Sequence, residues 1–118
     1  MPNFIVKANS REDWYVVWST ISNSPLNWGT RSELEDGYRD TPEFVNPERF
    51  RRANINGTSM RDDNWFGWND KIFLVGSNWE LKRSDLKAFC EAIEVASDIS
   101  DSSEALKYLT PTNKDSYF

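Results

Sequence analysis

The residues of this chain that are best suited to chemistry are tryptophans and arginines in polar, loop-like stretches or on one short helix. Indole rings anchor interfaces and stack on flat ligands, whereas guanidinium groups grip carboxylates and phosphates. Both residue types are enriched among binding hot spots. We therefore expect a binding surface to which these residues contribute: Trp28, Thr30, Arg31, Arg49, Arg52, Asn56, Thr58, Trp65 and Trp68.

Each part of this surface has a plainer explanation that the sequence leaves open. The aromatic residues Trp28, Trp65, Phe66 and Trp68 could fold back over a small core. The arginines could line a solvated helix face whose charge is balanced by nearby acidic residues. The sequence does not show whether the segments that carry these residues meet in space.

Catalysis is not expected, because the chain contains no histidine. That absence removes the usual general base, the commonest zinc ligand and every Ser-His or Cys-His pair. The one cysteine, Cys90, falls on the apolar face of a predicted helix, which favours a buried structural thiol. The sequence has no glycine-rich phosphate loop and no intact calcium loop. We expect a protein that is not an enzyme and that uses no cofactor or metal.

Length and charge narrow the classes of protein to which this chain could belong. A chain of 118 residues can form one domain with its own core, and we assign residues 1–110 to that domain and residues 111–118 to a polar tail. The net charge of −5 argues against a nucleic-acid backbone as partner. No apolar run approaches the length of a membrane span and no export leader is evident, so we expect a cytoplasmic protein. The sequence leaves the oligomeric state open.

The elements that must position these residues start with a strand over residues 14–20. Apolar and aromatic side chains occupy both of its faces, which is typical of a central strand covered on two sides, with Trp18 largely buried. Residues 3–8 alternate as a first strand that forms an antiparallel hairpin with it. Residues 22–25 include Pro25 and are predicted to end the strand in a turn.

Capping signals predict two helices in the first half of the chain. Thr30 and Glu33 have the spacing of a capping box, which predicts a short helix over residues 31–37. Asn46 is a favoured N-cap directly before a proline, which predicts a second helix over residues 47–55.

The second half of the chain is predicted to form a hairpin followed by two helices. Residues 71–75 are expected to be a buried strand that turns into a strand over residues 79–82. Residues 84–96 carry apolar side chains at helical spacing, and a capping box beginning at Asp101 predicts a short helix stopped by Pro111. Together the elements predict an α+β fold: one antiparallel sheet of about four or five strands, with helices packed mainly on one face.

Three stretches carry a resemblance to a known family: WSTISNSPLNWGTRSEL from Trp18, RRANINGTS from Arg51 and NWELKRSDL from Asn78. In order and motif they resemble a family of small uncharacterised accessory proteins of actinobacterial bacteriophages, although the third stretch departs from that family's W-L-P-R form. The resemblance implies an accessory protein of unknown activity, with no catalytic residues to transfer.

Two functions of different classes remain as the main hypotheses, and an enzyme that uses paired carboxylates, for which the chain has no motif, ranks below both. The first is a small intracellular phage accessory protein that acts by non-catalytic binding to a host protein, as an anti-defence inhibitor. The second is a binder of a nucleotide-like small ligand, in which Trp stacks on a base and Arg holds phosphate. The expected partner is therefore a host protein or such a ligand, and neither nucleic acid nor a membrane.

Overall fold

The computed structural model describes residues 3–60, 66–76, 79–95 and 103–111. The chain divides into two compact units, Met1–Asp70 and Lys71–Phe118. Helices and antiparallel strands occur in both, so the predicted α+β class is confirmed. The predicted single sheet is corrected, because the described strands form two separate three-stranded sheets. The assignment of residues 1–110 to one domain stays a prediction.

The first sheet consists of β1 (Asn3–Lys7), β2 (Tyr15–Ser19) and β3 (Ser24–Gly29), in that order. β2 pairs antiparallel with both neighbours, and all five of its residues are buried. Trp18 has no exposed surface, so the predicted central strand with a buried tryptophan is confirmed. Both faces of β2 carry apolar side chains, so the hydrophobic stabilisation is largest when both faces are buried.

β3 differs from the prediction, in which this part of the chain forms a turn before the first helix. Pro25 lies inside β3, opposite Trp18. A proline is tolerated because β3 is an edge strand of its sheet, and an edge strand bonds to a neighbour on one side only. The register shifts between Val17 and Trp18, which leaves Leu26 of β3 as the extra residue of a bulge.

Helix α1 (Arg31–Gly37) begins where the capping box predicts it. The Thr30 hydroxyl accepts a hydrogen bond from the Glu33 amide at 3.1 Å, and the Glu33 carboxylate accepts one from the Thr30 amide at 2.9 Å. Two amides that have no partner within the helix are satisfied in this way. A 3₁₀ turn, Pro42–Val45, then leads to the second helix.

Helix α2 (Pro47–Asn56) also matches its prediction. The Asn46 side chain accepts a hydrogen bond from the Arg49 amide at 3.0 Å, and Pro47 occupies the first helical position. Gly57 ends the helix with a φ of +86°, a left-handed conformation that glycine adopts at little cost. The chain then turns back along β1.

The two helices cover one face of the first sheet. The buried residues that pack there are Ile5, Tyr15, Val17, Leu34, Val45, Phe50 and Ala53. The Tyr15 ring lies edge-on to Phe50 with centroids 4.9 Å apart, and its hydroxyl donates to Asn54 Oδ1 at 3.0 Å. Burial raises the pKa of Tyr15. The core of this unit is therefore partly aromatic, and the phenol of Tyr15 is hydrogen-bonded.

Phe66 packs on the opposite face of the same sheet. Its ring lies 5.1 Å from that of Phe4 and 4.8 Å from that of Trp18, both in edge-to-face geometry. Phe66 is buried and folds back over the core. This is the plainer explanation that the sequence left open for the aromatic residues, and it holds for Phe66.

The described residues of the second unit form a three-stranded sheet and two helices. Its elements are β4 (Ile72–Val75), β5 (Trp79–Lys82), a 3₁₀ turn (Arg83–Asp85), α3 (Leu86–Val95), α4 (Ser103–Leu106) and β6 (Leu109–Pro111). The sheet order is β4-β5-β6, and both pairings are antiparallel. The predicted hairpin of β4 and β5 is confirmed. None of the described helices is long and apolar enough to cross a membrane.

Three features of this unit differ from the prediction. β4 is not a buried strand, because Ile72 and Leu74 remain 54% and 47% exposed while Phe73 faces the interior. Residues 109–111 form β6 rather than the end of a helix. The helix before it covers Ser103–Leu106, and Asp101 of the predicted capping box lies outside the described residues.

Candidate functional site

The guanidinium group of Arg49 is directed into the first unit. Arg49 is buried, and its Nη1 donates to Asn3 Oδ1 at 2.9 Å and to the Phe44 carbonyl at 3.1 Å. Burial lowers the pKa of Arg49, and the positive charge of Arg52 adds to that effect. Arg49 therefore ties α2 to β1 and to the turn before the helix.

Glu48 gathers the other two guanidinium groups of α2. Arg51 Nη2 and Arg52 Nη1 lie 2.6 Å and 3.0 Å from Glu48 Oε2. The hydrogen bonds from Arg51 are the main cause that lowers the pKa of Glu48 to about 2. Arg52 also donates from Nε to the Ser59 carbonyl at 2.9 Å. One carboxylate thus pairs with two guanidinium groups, so part of the positive charge on this helix face is balanced, in the way that the plainer explanation for the arginines describes.

Thr30 and Arg31 mark the start of α1. Thr30 serves as the N-cap. Arg31 Nε lies 3.1 Å from Glu35 Oε2, and its guanidinium carbon lies 4.8 Å from the centre of the Phe50 ring. This cation–π contact places Arg31 against α2. The structure therefore brings Arg31 and the arginine-bearing helix together.

Trp28 lies on the other face of the first sheet. It stands directly opposite Val16 in the pairing of β2 with β3, and directly opposite residues point to the same side of a sheet. Val17, the next residue along β2, packs under the helices, so Val16 and Trp28 face away from them. The sheet therefore separates Trp28 from the arginines of α2.

Thr58 is fully buried in a short segment that pairs with the outer edge of β1. On either side of it, Gly57 and Ser59 make backbone hydrogen bonds of 3.0 and 2.8 Å with β1. Thr58 is thus part of the sheet edge. Trp65, another predicted site residue, lies outside the described residues.

Asn56 and Trp68 are brought together at the C-terminal end of α2. The Trp68 amide donates to the Asn56 carbonyl at 2.9 Å, and its indole Nε1 donates to the Ile55 carbonyl at 2.8 Å. Carbonyls of the last helical turn have no donor within the helix, so both bonds satisfy groups that would otherwise need water. Trp68 is held through its main chain and through its ring.

A pocket of about 250 Å³ opens at this helix end, lined by Asn56, Gly67, Trp68, Asn69 and Asp70. The Asp70 amide donates to the Gly67 carbonyl and the Asp70 carboxylate accepts from the Phe66 amide, both at 2.9 Å. The wall of the pocket is therefore a hydrogen-bonded turn. With Ile55, whose side chain is 58% exposed, these five residues are called the Trp68 patch below.

The Trp68 patch offers an aromatic ring, two carboxamides and a carboxylate, a set suited to apolar contact and hydrogen bonding. In the described part of the chain, no three His, Cys, Asp or Glu side chains are grouped to hold a metal ion. Cys90, the one thiol, is fully buried in α3, and burial raises its pKa. A thiol in that state is a poor nucleophile.

Sequence reasoning found Asn56 and Trp68 but missed the other members of the Trp68 patch. Gly67 and the Asn69-Asp70 pair are typical turn residues, and that signal could have placed a turn next to Trp68. The role of Ile55 comes from its carbonyl, which no residue type reveals. An apolar residue at the end of a predicted helix that is otherwise rich in arginine was the available clue.

Comparisons with protein-family models, with curated proteins and with solved structures found no match to this chain. The class of this protein is thus described by its fold and site alone: it is a small α+β protein with a pocket at the end of a helix, walled by a hydrogen-bonded turn.

Proposed function

We propose that this protein acts by non-catalytic binding to another protein, with the Trp68 patch as its contact surface. One observation carries this proposal: a half-buried tryptophan is fixed by two hydrogen bonds at a helix end, beside a pocket. Binding is weakened when side chains must be ordered on contact, and a ring that is already held avoids that cost. Rigid tryptophans are accordingly common among hot spots.

The geometry of Trp68 also determines what it offers a partner. Its indole N–H is already bonded to the Ile55 carbonyl, so the exposed part of the ring is apolar. The half-exposed side chain of Ile55 adds apolar area at the same helix end. Apolar contact surrounded by carboxamide and carboxylate groups is the usual composition of a protein interface, with an apolar centre and a polar rim.

The size and charge of the pocket favour a protein over a nucleotide-like ligand. Its volume of about 250 Å³ is below the roughly 300–1,000 Å³ of most small-molecule sites. Asp70 contributes a carboxylate to the wall, which repels phosphate. Arg51 and Arg52 are paired with Glu48, and Arg49 faces the interior. A pocket of this kind suits one projecting side chain of a protein partner.

The resemblance to phage accessory proteins supports a host protein as that partner, with inhibition of a defence system as the consequence. This part of the proposal depends on the sequence motifs alone.

Affinity capture with the immobilised full-length protein, followed by purification of the captured protein and calorimetric titration, tests the proposal. We expect saturable binding of one purified protein and no heat with a panel of mononucleotides and dinucleotides. Saturable nucleotide binding that is lost in Trp68→Ala would overturn it in favour of the small-ligand alternative.

A further inference from the structure

Sheet edges expose backbone N–H and C=O groups to which another strand can bond, and proteins usually block them. In the first sheet, residues 57–59 cover β1, and β3 contains Pro25. In the second sheet, β6 contains Pro111. β4 contains no proline, and within the described part of the second unit no strand pairs with its outer edge. This edge is the one that lacks such protection among the described strands.

The pairing of β4 with β5 shows which backbone groups face that edge. The Arg83 amide donates to the Lys71 carbonyl at 2.8 Å, which continues the register of the hairpin. Hydrogen-bonded pairs alternate along an antiparallel ladder, so Phe73 also bonds to β5. The N–H and C=O groups of Ile72 and Leu74 therefore point away from β5, toward the outer edge.

The same alternation explains why Pro111 protects the opposite edge. It stands opposite Trp79, whose partner in β4 is Val75. The pair of Val75 and Trp79 is two residues on from Phe73, so Trp79 bonds toward β4 and the nitrogen of Pro111 faces away from β5. The outer edge of β6 therefore lacks a donor at this position, whereas the edge of β4 keeps its donors.

Ile72 and Leu74 combine these outward backbone groups with exposed apolar side chains. Their side chains share one face of the sheet, because they are two residues apart in a strand. They are 54% and 47% exposed, and Lys82 and Glu80 lie opposite them on β5. Backbone groups and apolar side chains are thus presented by the same two residues.

We propose that β4 pairs antiparallel with β4 of a second copy of this chain, about a two-fold axis through Phe73. In this register Ile72 of each copy faces Leu74 of the other, and these pairs are hydrogen-bonded. Four backbone hydrogen bonds satisfy the outward groups of both strands. The two sheets become one six-stranded sheet with its four exposed apolar side chains on one face.

The residues of β4 are self-complementary, which favours a second copy as the occupant: the outward backbone groups and exposed apolar side chains of Ile72 in one copy meet those of Leu74 in the other. Across the joined face, each row of side chains runs from Glu80 through Leu74 to Ile72 and Lys82 of the other copy. The carboxylate and the ammonium of a row are three strand spacings apart, roughly 14 Å, so they add little attraction, but the pairing places no like charges opposite each other. Two four-residue strands bury much less than the roughly 1,200 Å² of a stable interface, so the dimer is weak and dissociates on dilution.

Sedimentation of the full-length chain from micromolar to millimolar concentration tests this pairing. The wild-type chain is expected to shift from monomer to dimer, and Leu74→Lys is expected to remain monomeric at every concentration. Thr110→Lys, a change at an exposed residue of β6, is the control and should dimerise like wild type. A wild-type chain that stays monomeric, or a dimer that Leu74→Lys leaves intact, overturns the proposal.

A second experiment tests the register. Ile72→Cys and Leu74→Cys are mixed in the presence of oxidised glutathione, and disulfide-linked dimers are separated by mass. Random pairing of equal amounts already makes the mixed dimer twice as frequent as either homodimer. The mixed dimer is expected to exceed this statistical proportion clearly, because residues 72 and 74 face each other across the axis. A statistical mixture of the three dimers would overturn the register. The readout is the formation of a dimer of this chain, which needs no partner protein at the Trp68 patch.

Discussion

The indole ring of Trp18 lies edge-on to the ring of Phe66, with centroids 4.8 Å apart and ring planes at 63°. Phe66 makes this contact with a φ of +69°, which is uncommon for a bulky residue. The burial of two large aromatic rings offsets that backbone strain. Because Phe66 is two residues before Trp68, the contact also fixes where the turn of the Trp68 patch begins.

Trp18→Ala is expected to lower the free energy of unfolding by about 3–5 kcal/mol, since it leaves a large cavity between Phe66 and the sheet. Typical domains are stable by about 5–15 kcal/mol, so much of the protein's stability would be lost. Urea unfolding followed by circular dichroism measures the change. Trp79→Ala, at a partly exposed tryptophan, is the matched control and should have a smaller effect. Near-wild-type stability of Trp18→Ala would contradict the packing.

Arg49→Leu is expected to destabilise the protein although it keeps an apolar stem. The change leaves Asn3 Oδ1 and the Phe44 carbonyl without their donor, and an unsatisfied buried polar group costs about 1–3 kcal/mol. Arg51→Leu removes an exposed guanidinium group from the same helix and should have a much smaller effect. Thermal melting compares the two, and equal melting temperatures would show that Arg49 is not a structural residue.

Acid titration tests the cluster around Glu48. Its pKa is lowered from an ordinary 4.5 to about 2 in the folded protein, so the unfolded chain takes up the proton first as the pH falls. The stabilisation from the Arg51 and Arg52 pairs is therefore complete above pH 4.5 and is lost by about pH 2.

Glu48→Gln removes this pH dependence. The difference in unfolding free energy between wild type and Glu48→Gln should shrink as the pH falls through that window. High salt should reduce the difference above the window, because the pairs are exposed and screened. A difference that is the same at every pH would rule out the depressed pKa.

The thiol of Cys90 should be unreactive in the folded protein. It is fully buried in α3, and its raised pKa keeps it protonated at neutral pH. An aromatic disulfide reagent should therefore label it at the rate of unfolding and rapidly in denaturant. Ile72→Cys, at an exposed position, provides the positive control. Rapid stoichiometric labelling of the folded wild type would contradict the burial.

The parts of the fold that sequence predicts best are those that local hydrogen bonds determine. Thr30 and Glu33 are three residues apart, and Asn46 acts on a residue three positions away, so both caps could be identified from spacing. β3 and β6 each contain a proline, and their extended form depends on pairing with a neighbour. That pairing is a tertiary effect, which the local pattern does not show.

In the candidate site, too, residue types can be interpreted from the sequence, whereas contacts between distant residues cannot. The types of Asn56 and Trp68 indicated binding, but their meeting depends on contacts between distant residues. The indole of Trp68 bonds to a carbonyl 13 positions away, and the inward turn of Arg49 depends on Asn3, 46 positions away. Residue types therefore indicated binding chemistry, whereas the choice between surface and interior needed the folded chain.

Ile55→Asp provides a test of the Trp68 patch that leaves the core intact. The side chain is 58% exposed, so the variant should fold like wild type. A carboxylate at the centre of an apolar contact must be desolvated on binding, which should weaken the complex. Unchanged affinity for the purified partner would place Ile55 outside the interface.

The most direct test of binding through the Trp68 patch is the dissociation constant of the purified partner for Trp68→Ala. Lys87→Ala and Lys107→Ala, both in the second unit, serve as controls, and thermal melting confirms that each variant is folded. Trp68→Ala is expected to raise the dissociation constant about 30-fold or more, the effect of a hot spot of about 2 kcal/mol, while the controls leave it unchanged. A folded Trp68→Ala protein with the wild-type dissociation constant would contradict the proposed function.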